Sequence, residues 1–202
     1  MTKGLLLVLS APSGAGKSTL CREVVQRRPD TWVSISCTTR SPRSGENNGR
    51  DYNFMTPADF ERRLAAGEFI ESARVHDHLY GTLKKPVDDA LSAGRDVILN
   101  IDTQGAHSVK KHFPDCVRLF LLPPSWEVLE ERLRKRGQDA PEVIAKRLAN
   151  ARHEIRELPA FDYAVVNENL EEAVNQTLSI LTAERRRLAR TGDELRKLKF
   201  LS

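Results

Sequence analysis

The stretch "LLLVLSAPSGAGKSTL" (residues 5–20) joins an apolar run, a loop of small residues and the start of a helical pattern. The apolar run ends at Ser10, and a short continuous run of this kind predicts a β-strand buried on both faces. Gly14 and Gly16 let the following backbone curl so that successive N–H groups point inward, towards an anion. Lys17 can reach the β- and γ-phosphates of a nucleotide, and the Ser18 hydroxyl can bind Mg²⁺. The stretch therefore predicts a strand, a phosphate-binding loop and a helix in succession.

The first position of this loop departs from the usual pattern, G-x-x-x-x-G-K-[ST], because Ala11 stands where Gly is usual. A methyl group is tolerated there if φ is negative, since the tightest turns fall at Gly14 and Gly16. The alternative is a glycine-rich turn that contains GKS by chance, but the strand before the motif and the helix after it favour the phosphate site. The residues predicted to bind the phosphates are Ala11, Pro12, Ser13, Gly14, Ala15, Gly16, Lys17, Ser18 and Thr19.

The composition indicates a soluble globular protein. A chain of 202 residues, 40% hydrophobic and 30% charged, suits one domain with a sizeable core. The net charge of +4 is consistent with ordinary solubility, and affinity for anions such as phosphates is the alternative. Cys21, Cys37 and Cys116 are far apart in the sequence and form no metal-binding spacing, so we expect reduced thiols and a cytoplasmic location. The apolar run at 5–9 is too short to cross a membrane, and no secretory signal is evident.

Predicted strands and helices alternate along the chain. Strands are predicted at 4–10, 32–36, 69–75, 96–102, 117–122 and 163–167, with a short one starting in 51–54; helices are predicted at 20–28, 57–66, 83–93, 108–112, 125–137, 142–157 and 170–190. Residues 38–51 are polar and rich in Gly, Pro and Asn, and a loop of this length inside a compact domain is usually functional or disordered. The alternation predicts an α/β fold, with a parallel sheet covered by helices on both faces.

Arg40 and Arg43 lie three residues apart in this polar loop, with Tyr52 nearby. Arginine matches phosphate oxygens with two parallel N–H donors, so the pair predicts a second phosphate site and hence a second nucleotide. A solvated basic turn is the alternative. The cationic segment "RRRLAR" (185–190) is better explained as a solvated helix end than as a nucleic-acid site, because few aromatic residues are interleaved with it.

Nine short motifs occur in the order seen in one family. They are "SAPSGAGKST" (10–19), "TTRSPRSGE" (38–46), "DYNF" (51–54), "FIE" (69–71), "YGT" (80–82), "NIDTQG" (100–105), "RLRKRG" (132–137), "IAKRL" (144–148) and "VVN" (165–167). Together they resemble the guanylate kinases over about residues 4–190. The resemblance implies a P-loop nucleoside triphosphate hydrolase-type fold with a five-stranded parallel core sheet. It further implies a single domain composed of a core (1–36, 93–125 and 158–202), a GMP-binding insert (37–92) and an arginine-bearing lid (126–157).

The same resemblance implies the reaction ATP + GMP ⇌ ADP + GDP, with Mg²⁺ accompanying ATP and Ser18 as its protein ligand. Ser36, Arg40, Arg43, Tyr52 and Tyr80 would bind the GMP phosphate, and Glu46 would orient the arginines or the nucleotide. Glu71 and Asp102 would accept from guanine N1–H and N2–H₂, and Thr82 would donate to O6. The residues expected to act on the transferred phosphoryl group are Lys17, Arg132, Arg136 and Arg147. No covalent intermediate is needed, because phosphoryl transfer asks mainly for positioning and charge stabilisation.

Several alternatives stay open at the level of the sequence. Asn100 stands where many members of the family have Asp, so strong metal binding at that position is in doubt. Glu71, taken without the family, is better explained as a surface charge on a strand. Two other classes also have this pattern: protein-binding scaffold domains that resemble guanylate kinases, and P-loop kinases of other phosphorylated ribose compounds. Lys17 and the arginines argue against the first, and the guanine-directed Glu71 and Asp102 argue against the second. The oligomeric state and the relative use of dGMP are undetermined.

Overall fold

The computed structural model describes residues 3–75, 77–135 and 140–195. The strands are β1 (Leu6–Ser10), β2 (Thr31–Val33), β3 (Cys37–Thr38), β4 (Asn53–Phe54), β5 (Phe69–Val75), β6 (His78–Leu83), β7 (Asp96–Asn100), β8 (Val117–Leu122) and β9 (Tyr163–Val166). The helices are α1 (Lys17–Arg27), α2 (Pro57–Ala65), α3 (Lys84–Ser92), α4 (Thr103–His112), α5 (Trp126–Lys135), α6 (Pro141–Arg156), α7 (Leu170–Arg185) and α8 (Leu188–Leu195). A short 3₁₀ helix covers Leu158–Ala160.

Five parallel strands of this described part form the central sheet, in the spatial order β2-β7-β1-β8-β9. The side chains of the β1 segment alternate between two cores, as the pleat of a strand requires. Leu5, Leu7 and Leu9 join a buried cluster that includes residues of α1 and α7. Leu6 and Val8 join a second cluster, with residues of α3 and α4. The predicted fold is confirmed, because a five-stranded parallel sheet is covered by helices on both faces.

Four short strands form a second sheet, in the order β4-β3-β6-β5. Strands β3 and β6 are not predicted from the sequence: Thr38 of β3 falls in the predicted loop at 38–51, and Gly81 weakens the strand pattern of β6. In the structure Gly81 lies where a Cβ atom would come within 2.9 Å of the Phe69 ring and 3.0 Å of Phe60. The glycine therefore allows close aromatic packing in this sheet. All four strands lie within residues 37–83, while the division of the chain into core, insert and lid stays a prediction.

Three other elements differ from the predicted bounds. The predicted strand at 32–36 is shorter: β2 ends at Val33, Ser34 N still donates to Ile98 O of the central sheet, and Ser36 O instead accepts from Asn53 N in the second sheet. Helix α4 begins at Thr103, since the Asp102 side chain caps it by accepting from Gly105 N. The predicted C-terminal helix is two helices. No Gly or Pro marks the break, and Arg185, the last residue of α7, is held by buried Asp96.

The carboxyl ends of the parallel strands meet at one edge of the central sheet. The loop of residues 11–16 leaves β1 at this edge, residues 101–102 follow β7, and Asn167 follows β9. In open α/β sheets the crevice outside this edge is the usual place for ligands, at the point where the strand order reverses around the first strand. The second sheet borders the same edge through Glu71, which lines a cleft together with residues of the loop.

Candidate active site

One cleft brings the two predicted nucleotide sites together. It is lined by residues 11–14 and 16–19 of the loop that follows β1, together with Ser36, Tyr52, Glu71, Tyr80, Asn100, Asp102 and Glu154. Ala15 of the loop is fully buried and lies behind this wall. Residues that are far apart in the sequence thus face one space, in which two phosphorylated ligands can meet.

The loop between β1 and α1 has the geometry of an anion site. Gly14 and Gly16 have φ values of 99° and 101°, a region that favours glycine. Gly16 caps α1, so the positive end of the helix dipole faces the cleft. The Lys17 ammonium donates to Ala11 O at 2.8 Å, which holds the side chain across the loop. Ala11 is 2% exposed and belongs to a core cluster, so its methyl group adds apolar packing where the usual pattern has glycine.

Ser18, the predicted metal ligand, faces the cleft beside Asn100. The two side chains are 3.5 Å apart, between Asn100 Nδ2 and Ser18 Oγ. Among the residues that the structure describes, no group of three His, Cys, Asp or Glu side chains could hold a metal ion. Mg²⁺ is commonly held by one or two protein oxygens together with water and substrate phosphates. The donor set therefore fits a cation that arrives with a nucleotide rather than one held by the protein alone.

Glu71 lies opposite Thr82 in the β5–β6 pair, and the register shifts between Phe69 and Glu71. The Thr82 hydroxyl donates to Glu71 Oε1 at 2.7 Å. Burial raises the pKa of the Glu71 carboxyl to about 7; the hydrogen bond from Thr82 opposes this shift, and the charge of Asp102 adds to it. Thr82 is fully buried behind Glu71, so its predicted direct contact with a base stays a prediction.

Asp102 meets Glu71 over the first turn of α4. Its Oδ1 accepts from Gly105 N at 2.7 Å. A Cβ atom at Gly105 would lie 2.9 Å from Glu71 Oε2 and 3.3 Å from Asp102 Oδ1, so only glycine leaves room for the two carboxyl groups to converge. Two neighbouring carboxylates that face a cleft suit a ligand with two adjacent N–H donors.

Arg40 is the centre of the predicted second phosphate site. Its guanidinium donates to Glu46 Oε1 at 2.8 Å and lies over the Tyr52 ring, 5.4 Å from the centroid. The hydrogen bond from Arg40 lowers the pKa of Glu46, whose other oxygen accepts from Arg43 N at 2.8 Å. Tyr52 and Tyr80 pack edge to face at 6.0 Å, and both line the cleft. Glu46 therefore orients Arg40 and the backbone at Arg43, while the exposed Arg43 side chain extends from this segment.

Of the three arginines predicted for the lid, two lie in the part of the chain that the structure describes. Arg132 of α5 donates to Asn167 O at 3.0 Å. Arg147 of α6 is half-buried, and Arg136 lies outside the described residues. Arg147 lies two helical turns before Glu154, which lines the cleft, so the two share a face of α6. The common role predicted for Arg132 and Arg147 therefore stays a prediction.

Glu154 is a site residue that the sequence analysis missed. Burial raises the pKa of the Glu154 carboxyl above its ordinary value; the charge of Lys17 and the Ser13 backbone N–H oppose this shift, and the charge of Asp102 adds to it. A carboxylate of α6 thus lies beside the loop that is predicted to bind phosphate. The sequence offers no signal for it, because one Glu on a long charged helix is ordinary.

The cysteines take no part in this cleft. Cys21, Cys37 and Cys116 are free and buried, and burial raises the pKa of the Cys21 thiol to about 12 and that of Cys37 to about 11. Thiols with such values are inert at neutral pH. No helix within the described residues has the length and apolar character needed to span a bilayer.

Comparison with known proteins identifies the family. The guanylate kinase family profile matches residues 3–184. Guanylate kinase of Syntrophotalea carbinolica is 51% identical over 195 residues, which cover 96% of this chain and 93% of that relative. That of Thermotoga maritima is 46% identical over 198 residues, covering 98% and 96%. A crystal structure of guanylate kinase from Anaplasma phagocytophilum matches with a TM-score of 0.78 and 34% identity, over 94% of this chain and 90% of that chain. The resemblance predicted from the motifs is confirmed, and the chain belongs to the guanylate kinase family of nucleoside monophosphate kinases, the ATP:GMP phosphotransferases.

Proposed function

We propose that the cleft between the loop after β1 and the second sheet transfers the γ-phosphoryl group of ATP to GMP. One observation carries this proposal: the loop residues, the Glu71–Asp102 pair and the tyrosines Tyr52 and Tyr80 line the same cleft. A phosphate donor on the loop and an acceptor on the second sheet would then face each other in one cavity. Because phosphoryl transfer needs mainly alignment and charge stabilisation, this arrangement is sufficient without a nucleophilic side chain.

On the donor side, the backbone N–H groups of the loop would bind the ATP phosphates, and Lys17 would leave Ala11 O for a phosphate oxygen. Mg²⁺, when bound through Ser18 and the nucleotide, would screen the negative charge of the β- and γ-phosphates. Glu154 would leave the loop as the phosphates enter, because two anions cannot share the same donors. This exchange would couple ATP binding to a movement of α6.

On the acceptor side, Glu71 and Asp102 would accept from guanine N1–H and N2–H₂, with Thr82 holding the Glu71 carboxyl in place. Arg40, Arg43, Ser36, Tyr52 and Tyr80 would bind the GMP phosphate, with Glu46 orienting Arg40. Arg132, Arg147 and Arg136 would close over the phosphates when the lid moves. Closure would exclude water, which otherwise competes as the acceptor.

The buried free thiols support a reducing compartment, and we therefore infer a cytoplasmic location. The deciding experiment measures ADP release by a coupled assay with MgATP and a panel of acceptors: GMP, dGMP, AMP, CMP and UMP. We expect rapid turnover with GMP, with dGMP the next acceptor, and very slow turnover with the other three. The absence of turnover with GMP would overturn the proposal, and chelation of Mg²⁺ should abolish turnover if the cation travels with ATP.

A further inference from the structure

Asn167 connects the loop after β1 to the end of β9. We infer that Asn167 is a positioning residue for the phosphate donor, whose side-chain amide fixes the direction in which the Gly16 N–H points. The inference rests on the proposed role of the loop as the ATP phosphate site. Asn167 itself does not line the cleft, and it would act through the loop backbone.

Asn167 is firmly anchored. It directly follows β9, and its backbone N–H donates to Leu122 O at 2.8 Å, continuing the parallel ladder between β8 and β9 by one bond. The residue is only 6% exposed. Its Nδ2 donates to Ala15 O at 2.7 Å in a buried hydrogen bond that spans 152 positions of the sequence. The loop is therefore tied to the central sheet at one defined carbonyl group.

The direction of the Ala15 carbonyl determines the direction of the Gly16 N–H. In a trans peptide the C=O of one residue and the N–H of the next point to opposite sides of the chain. The described backbone contains no cis peptide bond. With Ala15 C=O held towards Asn167, away from the phosphates, Gly16 N–H is turned the other way. Ala15 is fully buried, whereas Gly16 lines the cleft, so this N–H is presented on the side where the phosphates would bind.

Gly16 and Asn167 are matched in shape. A Cβ atom at Gly16 would lie 2.5 Å from Asn167 Nδ2, a separation that no side chain could tolerate without displacing the amide. Glycine at this position thus leaves the space that the amide occupies, besides permitting the φ of 101°. The amide could not approach Ala15 O in the same way past a larger residue.

Asn167 also contacts helix α5, through a backbone atom and not through its side chain. Its backbone carbonyl accepts from Arg132 at 3.0 Å. Substitution of the side chain leaves this acceptor in place, so the role of the amide can be tested separately from the contact with Arg132.

The test compares Asn167→Ala and Asn167→Asp with a control, Asn169→Ala. Asn169 caps α7 by accepting from the N–H groups of Glu171 and Glu172, and both of these hydrogen bonds lie within the start of α7. Loss of this cap should lower the melting temperature without changing the kinetic constants. For each variant, steady-state kinetics give KM for MgATP, KM for GMP and kcat, and calorimetry gives the Kd of ADP.

We expect Asn167→Ala to raise KM for MgATP and Kd for ADP about tenfold, since a buried carbonyl loses its donor and the Gly16 peptide can rotate. KM for GMP should change by less than about twofold. Asn167→Asp, which keeps the side-chain volume, should have a larger effect, because a carboxylate cannot donate to Ala15 O and adds negative charge beside the phosphates.

The inference is overturned if both Asn167 variants change the constants for ATP and GMP equally, or change only the melting temperature, as Asn169→Ala should. If Asn167→Ala does not fold, the Asp variant gives the same comparison. Failure of the proposed function would look different: the unmodified protein would bind ADP but would not phosphorylate GMP. In that case a selective loss of ADP affinity in Asn167→Ala would still support the positioning role.

Discussion

The two sides of the cleft, which we assign to the phosphate donor and to the acceptor, differ in how they are built. The donor side consists mostly of backbone: Gly14 and Gly16 curl the loop, and the N-terminus of α1 adds its dipole. The acceptor side consists of side chains on a small second sheet, with a buried carboxyl at Glu71 and a cluster around Arg40. Backbone N–H groups do not titrate, and they can bind the phosphates of any nucleotide. A buried carboxylate distinguishes one base from another, and its charge depends on pH. The two constructions therefore predict selectivity for the acceptor and generality towards the donor.

The largest expected effect is discrimination between acceptors. AMP lacks the N1–H and N2–H₂ donors, so it would leave Glu71 and Asp102 as carboxylates without partners. A site built to hydrogen-bond a substrate group rejects an analogue without it by roughly 10⁴–10⁵-fold. We expect kcat/KM for GMP to exceed that for AMP by about this factor at pH 8, where Glu71 is ionised. Similar values for the two acceptors would contradict the assignment of the guanine site.

The Glu71→Gln substitution tests the same guanine site by changing the protein instead of the acceptor. The amide brings a donor towards the guanine donors, so kcat/KM for GMP should fall strongly while KM for MgATP stays within about twofold. The matched control is Glu68→Gln, a nearby glutamate whose partner is Arg63 on α2. A comparable loss in the control would point to a general effect on the second sheet.

The second largest effect concerns the donor side. Lys17→Met should lower kcat by about 10²–10³-fold, because one preorganised electrostatic donor contributes ~3–4 kcal/mol to the transition state. Binding of GMP, measured by calorimetry without ATP, should be nearly unchanged, since Lys17 faces the donor phosphates. Loss of GMP affinity with normal turnover would reverse the assignment of the two sides.

The next prediction is that kcat/KM for GMP depends on pH through Glu71 on the acceptor side. The pKa of Glu71 is raised to about 7, so the carboxyl gains a proton as the pH falls through 7 and then carries an O–H that opposes guanine N1–H. We expect GMP to bind the form with an ionised Glu71, so its kcat/KM should fall about tenfold per pH unit well below the pKa. The phosphate of GMP also titrates near pH 6. The Glu71→Gln variant keeps that titration and loses the one at Glu71, so a profile unchanged by the substitution would refute the prediction.

The smallest expected effect is at Glu154. Removal of its charge in Glu154→Gln should lower KM for MgATP by about two- to fivefold, because a half-exposed carboxylate no longer competes for the loop and for Lys17. Glu157→Gln is the control, since Glu157 pairs with His107. An increase in KM for MgATP in the Glu154 variant would show that this carboxylate assists the donor instead of competing with it.

The part of the site that local sequence patterns predict without the family resemblance is contiguous in the chain. The strand, loop and helix at 5–28 depend on neighbouring residues, so a short pattern is sufficient, although α1 begins at Lys17 rather than Leu20. Strand β6 was missed because the need for glycine at position 81 comes from close packing against Phe60 and Phe69, which are distant in the sequence. The turn between α7 and α8 was missed because buried Asp96, rather than a local breaker, holds Arg185.

The sequence by itself determined the fold class, the phosphate loop and, through its ordered motifs, the family. It could not show that Glu71 is buried against Thr82, that Glu154 reaches the loop, or that Asn167 holds a carbonyl 152 positions away. These contacts depend on which strands and helices become neighbours, and a lone Glu or Asn carries no periodic signal. Only the tertiary structure decided them, because the burial that shifts a pKa and the hydrogen bond that orients a peptide exist only once distant segments are packed together.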